Sequence, residues 1–145
     1  MPLMNMFNDD ERKIFNKEFN FGTPKEAEIL SVLEEYFGET FNRSENQFSA
    51  FDLYNDTTQI EIKSRRNNFK AYPTTLIGTN KAIKTNKKQL FVFNFIDSIY
   101  YIEYEEERFN PWIDNFTRNS RIGLETEPNK YFYIPITELT LIKQK

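Results

Sequence analysis

Asp52, Glu61 and Lys63 are the residues of this 145-residue chain whose types and spacing suit chemistry. Apolar residues alternate around them, so that Phe51, Leu53, Ile60 and Ile62 share one face of two extended segments while Asp52, Gln59, Glu61 and Lys63 share the other. Between the segments, Asn55-Asp56-Thr57-Thr58 supplies turn residues. A hairpin closing symmetrically on that turn sets Asp52 directly opposite Glu61, with two carboxylates about 5 Å apart across the strands. Like charges so placed repel, and a folded chain needs something positive between them: a divalent cation, or the neighbouring Lys63.

The chain has no histidine and no cysteine. That excludes disulfide frameworks, zinc fingers, thiol nucleophiles and His-dependent triads or nucleases, and leaves carboxylate, lysine and hydroxyl chemistry. Oxygen ligands alone select Mg²⁺ or Mn²⁺ rather than zinc. Such an ion keeps waters, lowers the pKa of one of them and neutralises charge developing on a phosphoryl group, while Lys63 orients the water or stabilises the transition state. This is a toolkit for phosphodiester hydrolysis.

The elements that hold these residues can be read from periodicity. Asn8 or Asp9 caps a first helix running to about Phe19, with Ile14, Phe15 and Phe19 as apolar contacts. A second helix starts at Thr23 as N-cap, with Pro24 next and Glu26 three residues after the cap, and ends near Gly38. Ile29, Leu30, Leu33, Tyr36 and Phe37 form its buried stripe, with Glu26 at the stripe's edge. After the hairpin come an extended piece from Tyr72 to Ile77 and a third helix from Asn80 to about Lys88, with Lys81, Lys84 and Lys88 on one face. A buried strand over Leu90 to Phe95 turns at Asp97-Ser98 into a strand over Ile99 to Tyr104. A short helix begins at Pro111, and Tyr131 to Ile136 reads as a last edge strand, since Pro135 is tolerated at an edge or an end.

Charge is segregated. Between Ile62 and Ile96 there is no acid, and Lys63, Arg65, Arg66, Lys70, Lys81, Lys84, Lys87 and Lys88 give +8, against −11 for the other 110 residues. The stretch is a candidate phosphate-binding surface, with Arg65, Arg66 and Lys70 flanking a substrate and Lys81, Lys84 and Lys88 contacting its backbone. Tyr100, Tyr101, Tyr104, Tyr131 and Tyr133 are read as core or interface residues rather than base-stacking platforms. At 39% hydrophobic and 17% aromatic residues, the chain has core material for a single domain. The start lacks a basic region before an apolar core, and the apolar run Leu90 to Ile96 is too short to span a bilayer. We therefore expect an intracellular protein that is not secreted, without membrane partners. The richness in Asn, Lys, Ile, Phe and Tyr fits an AT-rich genome, such as a viral one.

Phe51-Asp52 followed by Glu61-Ile62-Lys63 resembles the signature of the PD-(D/E)XK nucleases. Gly22-Thr-Pro-Lys-Glu26 is similar to the family's pattern of glycine, three residues and glutamate on the preceding helix. The resemblance covers roughly the middle half of the chain, and Phe51 stands where the namesake proline would be. It implies an α/β fold with a restriction endonuclease-like core, a central mixed β-sheet flanked by helices. The core would span about residues 22–105, with an N-terminal helix over 1–21 and a C-terminal extension over 106–145. It also implies a Mg²⁺- or Mn²⁺-dependent endonuclease, acting on DNA in preference to RNA. Asp52, Glu61, Glu26 and the main-chain carbonyl of Ile62 would be metal ligands, and Lys63 the catalytic base or transition-state stabiliser. Cutting both strands of a duplex would require a homodimer. The alternative reading is a non-catalytic nucleic-acid-binding module on the same fold; a third is a protein-binding domain whose carboxylates and lysines form surface ion pairs.

Overall fold

Helix α1 runs Pro24–Phe37 in the computed structural model, which describes residues 24–44, 51–83, 85–116 and 129–145. Proline suits the first helical position, because the N–H it lacks would have no partner there. Ile29 and Leu33, one turn apart, are buried, and Leu30, Val32 and Phe37 pack beside them. Gly38 ends the helix with φ 67°, a left-handed conformation that a residue without Cβ adopts freely, and its N–H donates to the Glu34 carbonyl at 2.9 Å. The helix expected before Phe19 lies outside the described residues.

The strands are β1 (Asn42–Arg43), β2 (Leu53–Tyr54), β3 (Thr58–Ser64), β4 (Thr74–Gly78), β5 (Lys88–Asn94), β6 (Ser98–Glu103), β7 (Ile113–Phe116), β8 (Asn129–Pro135) and β9 (Thr140–Gln144). A six-stranded sheet has the order β1-β2-β3-β5-β6-β9, and a three-stranded sheet the order β4-β8-β7. Only β3 and β5 pair in parallel among the described ladders, so the main sheet is mixed. A short helix α2 (Glu106–Phe109) follows β6.

Side-chain alternation then produces three layers. On one face of the main sheet Leu53, Ile60, Leu90, Val92 and Ile99 pack against Ile29, Leu33 and Phe41. On the other, Phe91, Phe93, Phe95 and Ile102 pack against Ile77, Phe132 and Ile134 of the second sheet, with Phe109 of α2 between them. Strand β5 is covered on both faces, which is why Leu90 to Phe93 is a continuous apolar run rather than an alternating one.

The fold class is as expected, a mixed α/β domain with a central mixed sheet, but three elements differ. The described residues from Asn80 to Lys88 do not form a helix: Thr79–Lys81 makes one 3₁₀ turn and Lys88 already begins β5. Ala82 and Ile83 are the only apolar residues between Asn80 and Lys88, too few to give a helix a face to bury. The crossover from β3 to β5 instead carries β4 into the second sheet. Strand β8 is not an edge: it lies between β4 and β7, and Pro135 is tolerated because it closes the ladder, opposite Thr74. At Pro111 there is only the 3₁₀ turn Asn110–Trp112. The expected β5–β6 hairpin is present, with Phe93 opposite Tyr100 and Asn94 opposite Ile99. Residues after Phe109 supply β7, β8 and β9, and so complete both sheets.

Candidate active site

The hairpin register is the one the turn residues imply, with Leu53 opposite Ile60 and Tyr54 opposite Gln59. Asn55 builds the turn, its Oδ1 accepting from the N–H groups of Thr57 at 3.0 Å and Thr58 at 2.9 Å. The ladder stops one pair short of the expected Asp52–Glu61 match. The Asp52 N–H donates to the Ile60 carbonyl at 2.7 Å, a shift of one residue, and its own carbonyl accepts from Ser44 at 2.8 Å. This shift turns the Asp52 carboxylate along β3, where Oδ2 accepts from the Ile62 N–H at 2.7 Å. Because a strand residue's N–H and C=O point the same way, the Ile62 carbonyl faces the side on which Asp52 lies.

Glu61 pairs in register with Phe91, and Lys63 with Phe93, so both stand on the sheet face covered by the aromatic core and the second sheet. Glu61 is buried, a rare state for a carboxylate without compensation. Lys81, delivered by the Thr79–Lys81 turn, places Nζ 2.9 Å from Glu61 Oε2, and Lys63 Nζ lies 3.6 Å from the same oxygen. Even so, the Glu61 pKa is pushed up to about 7. Burial is the largest cause, followed by the hydrogen bond and repulsion with Asp52; the two lysines oppose the rise without cancelling it. Two residues away on the same face, Gln59 Oε1 is buried with no hydrogen-bond partner among the described residues. The site therefore holds an acceptor-rich, charge-strained pair of carboxyls against an apolar floor.

The structure divides the other predicted residues. Lys81 serves Glu61, rather than standing on a lysine-rich helix face. Arg65 turns inward: Nε donates to Thr75 Oγ1 at 3.2 Å, Nη2 donates to the Leu76 carbonyl, and the guanidinium lies 5.6 Å from the Phe93 ring centre. Burial holds its pKa below the ordinary arginine value. It thus ties β4 to β3, a role with no sequence signal, since the partner strand is in another sheet. Arg66 and Lys70 are exposed just past the end of β3. Lys88 is exposed at the opposite end of the sheet, paired with Thr58 and on the helix-facing side by alternation. It is roughly 20 Å from Ser64, the last residue of β3, along the strand direction and on the wrong face for the site. Lys87 is held by the hairpin, its Nζ donating to the Asn55 carbonyl at 3.0 Å. The +8 stretch is therefore not one surface. Lys84 lies outside the described residues. Glu26 is in the first turn of α1, and its side chain is likewise outside them.

Beside Lys63 opens a cleft of about 570 Å³, lined by Lys63, Arg65, Asn67, Tyr72, Tyr131 and the length of β4. Its wall is the outer edge of the second sheet, because among the described strands β4 pairs only with β8. The tyrosines expected to be core residues behave so where they meet the sheet: Tyr100 stacks on Phe69 at 3.8 Å, Tyr101 packs on Phe37, and Tyr104 on Phe109. Tyr72, which sequence reading did not single out, is 62% exposed at the rim of the cleft. Among the described residues no helix is long and apolar enough to cross a membrane, and no group of three or more acidic residues forms a metal cluster. Comparison with family models, curated proteins and solved structures gives no match.

Proposed function

We propose that this chain is a metal-dependent nuclease that hydrolyses phosphodiester bonds, in DNA in preference to RNA, on a restriction endonuclease-like core. The observation that carries the reading is Glu61: a buried carboxyl whose ionisation the neighbouring Asp52 opposes, with Lys63 on the same strand face within 3.6 Å and lining a cleft. A pair of carboxyls held together at this cost to ionisation is what a divalent cation relieves. The donor set also fits, since Mg²⁺ binds through one or two carboxylates and completes its shell with water. Asp52 and Glu61 would hold Mg²⁺ or Mn²⁺, with the Ile62 carbonyl and, by resemblance, Glu26 as further oxygens. Such an ion, when bound, acidifies water and neutralises phosphoryl charge.

The chain's own groups do the rest. Asp52 is oriented by the Ile62 N–H, so its carboxylate is fixed before substrate arrives. Lys81 anchors Glu61 against β3 through its ion pair. Lys63 keeps a third of its side chain exposed and reaches the cleft, where its ammonium donates to a phosphate oxygen as charge accumulates on it. The fold supports the reading through the order α1, hairpin, β3, parallel β5, although β4 and a turn replace the expected crossover helix.

The test is cleavage of labelled duplex, single-stranded, junction and RNA substrates with Mg²⁺, Mn²⁺ or EDTA. Wild type should cut only with metal, and Asp52→Ala and Lys63→Ala should each lower the rate by roughly 10²-fold or more. A folded wild type that cuts nothing in either metal defeats the catalytic reading, and salt-dependent binding would then mark a nucleic-acid-binding module.

A further inference from the structure

The loop between β3 and β4 is held firmly. The Arg65 N–H donates to the Asn94 carbonyl at 2.9 Å, the Ile96 N–H to the Asn67 carbonyl at 3.1 Å, and the Phe69 N–H to Asp97 Oδ1 at 2.9 Å. Phe69 itself is stacked on Tyr100 with an interplanar angle of 3°. From this fixed loop Arg66 turns to the α1 side, beside Glu28 and Val32, Lys70 is exposed, and Tyr72 follows with most of its ring in solvent. Among the described residues the Tyr72 ring has no aromatic or hydrogen-bond partner. An anchored aromatic without a packing role, sharing a cleft with Lys63, has the composition of a base-stacking platform beside a phosphate-binding ammonium.

We infer that the cleft between β3 and β4 takes an unpaired DNA strand, with a base stacked on Tyr72 and the adjoining phosphates directed toward Lys63. A base within a duplex has both faces covered by its neighbours, and only an unpaired nucleotide offers a face to Tyr72. The inference rests on the nuclease reading and names the substrate class for that same site.

Binding in EDTA separates the two. A single strand carrying 2-aminopurine, the same sequence as a duplex, and its RNA counterpart would be titrated with wild type, Tyr72→Ala and Tyr72→Phe. Wild type should bind the single DNA strand more tightly than the duplex and quench the probe. Tyr72→Ala should weaken single-strand binding roughly 5- to 100-fold, with Tyr72→Phe restoring it. Equal or tighter duplex binding, or single-strand affinity unchanged in Tyr72→Ala, overturns the inference, and RNA bound more tightly than DNA overturns its assignment to DNA. Metal-dependent duplex cleavage that needs Asp52 but not Tyr72 would sink the inference and keep the nuclease. Tyr72-dependent single-strand binding without cleavage in any metal would keep the cleft's role and sink the nuclease.

Discussion

On β3, Thr58, Ile60 and Ile62 look toward α1, while Gln59, Glu61 and Lys63 look toward the second sheet, and the two faces handle burial in opposite ways. Toward α1 the strand meets Leu33, Leu53 and Val92, and the one buried polar side chain, Thr58, has a hydroxyl partner in Thr57 at 3.2 Å. Toward the second sheet it buries a carboxyl beside a second carboxyl and leaves an amide oxygen without a partner among the described residues. The first arrangement gains stability from apolar area; the second gives some of it up for a polarised site. A period of two residues thus separates what holds the fold from what acts.

Substitutions on the two faces should separate stability from activity. The largest loss of stability is expected from Leu33→Ala, which removes a fully buried side chain from the α1 side. It should cost about 2–5 kcal/mol in chemical denaturation, while cleavage per folded molecule stays near wild type. Comparable loss of activity per folded molecule would show that the faces are not independent.

A pH series probes the other face. Folded Glu61 keeps its proton up to about pH 7, whereas its ordinary value is 4.5, so between these limits the folded state binds more protons than the unfolded chain. Its contribution to stability is full below pH 4.5, falls as pH rises to about 7 and is flat above, a loss of up to about 3 kcal/mol. Glu61→Gln should remove this slope from melts recorded without metal. A slope that persists in the variant would place its origin elsewhere.

The smallest effect is expected at Gly78, where an added Cβ would lie 2.5 Å from Asn80 Oδ1, in the turn that carries Lys81. Because Asn80 is exposed and can swing away, Gly78→Ala should cost less than about 1 kcal/mol. Its effect should appear as a modest drop in cleavage rate through Lys81; a cost of several kcal/mol would mean that the turn is far more rigid than its exposure implies.

Much of this was legible in sequence because it depends on local periodicity. Alternation from Phe51 to Lys63 with a four-residue turn gives the hairpin and the face shared by Glu61 and Lys63, and the stripe of Ile29, Leu33 and Phe37 gives α1. What escaped depends on contacts between distant segments. Lys81 reaches Glu61 only because β4 crosses into a second sheet, and lysine spacing alone suggested a helix instead. Arg65 looked like a phosphate ligand because nothing near it in sequence announces Thr75 and Leu76 as partners. The one-residue shift at Asp52 also has no sequence mark, and it decides where the carboxylate points.

The most direct test is Mn²⁺ titration at pH 8 followed by electron paramagnetic resonance, comparing wild type with Asp52→Asn and Glu61→Gln. Wild type should bind an ion, with affinity lowered at least about tenfold in each variant. No bound Mn²⁺ in the folded wild type, or equal affinity in all three proteins, would contradict the reading of Asp52 and Glu61 as a metal site.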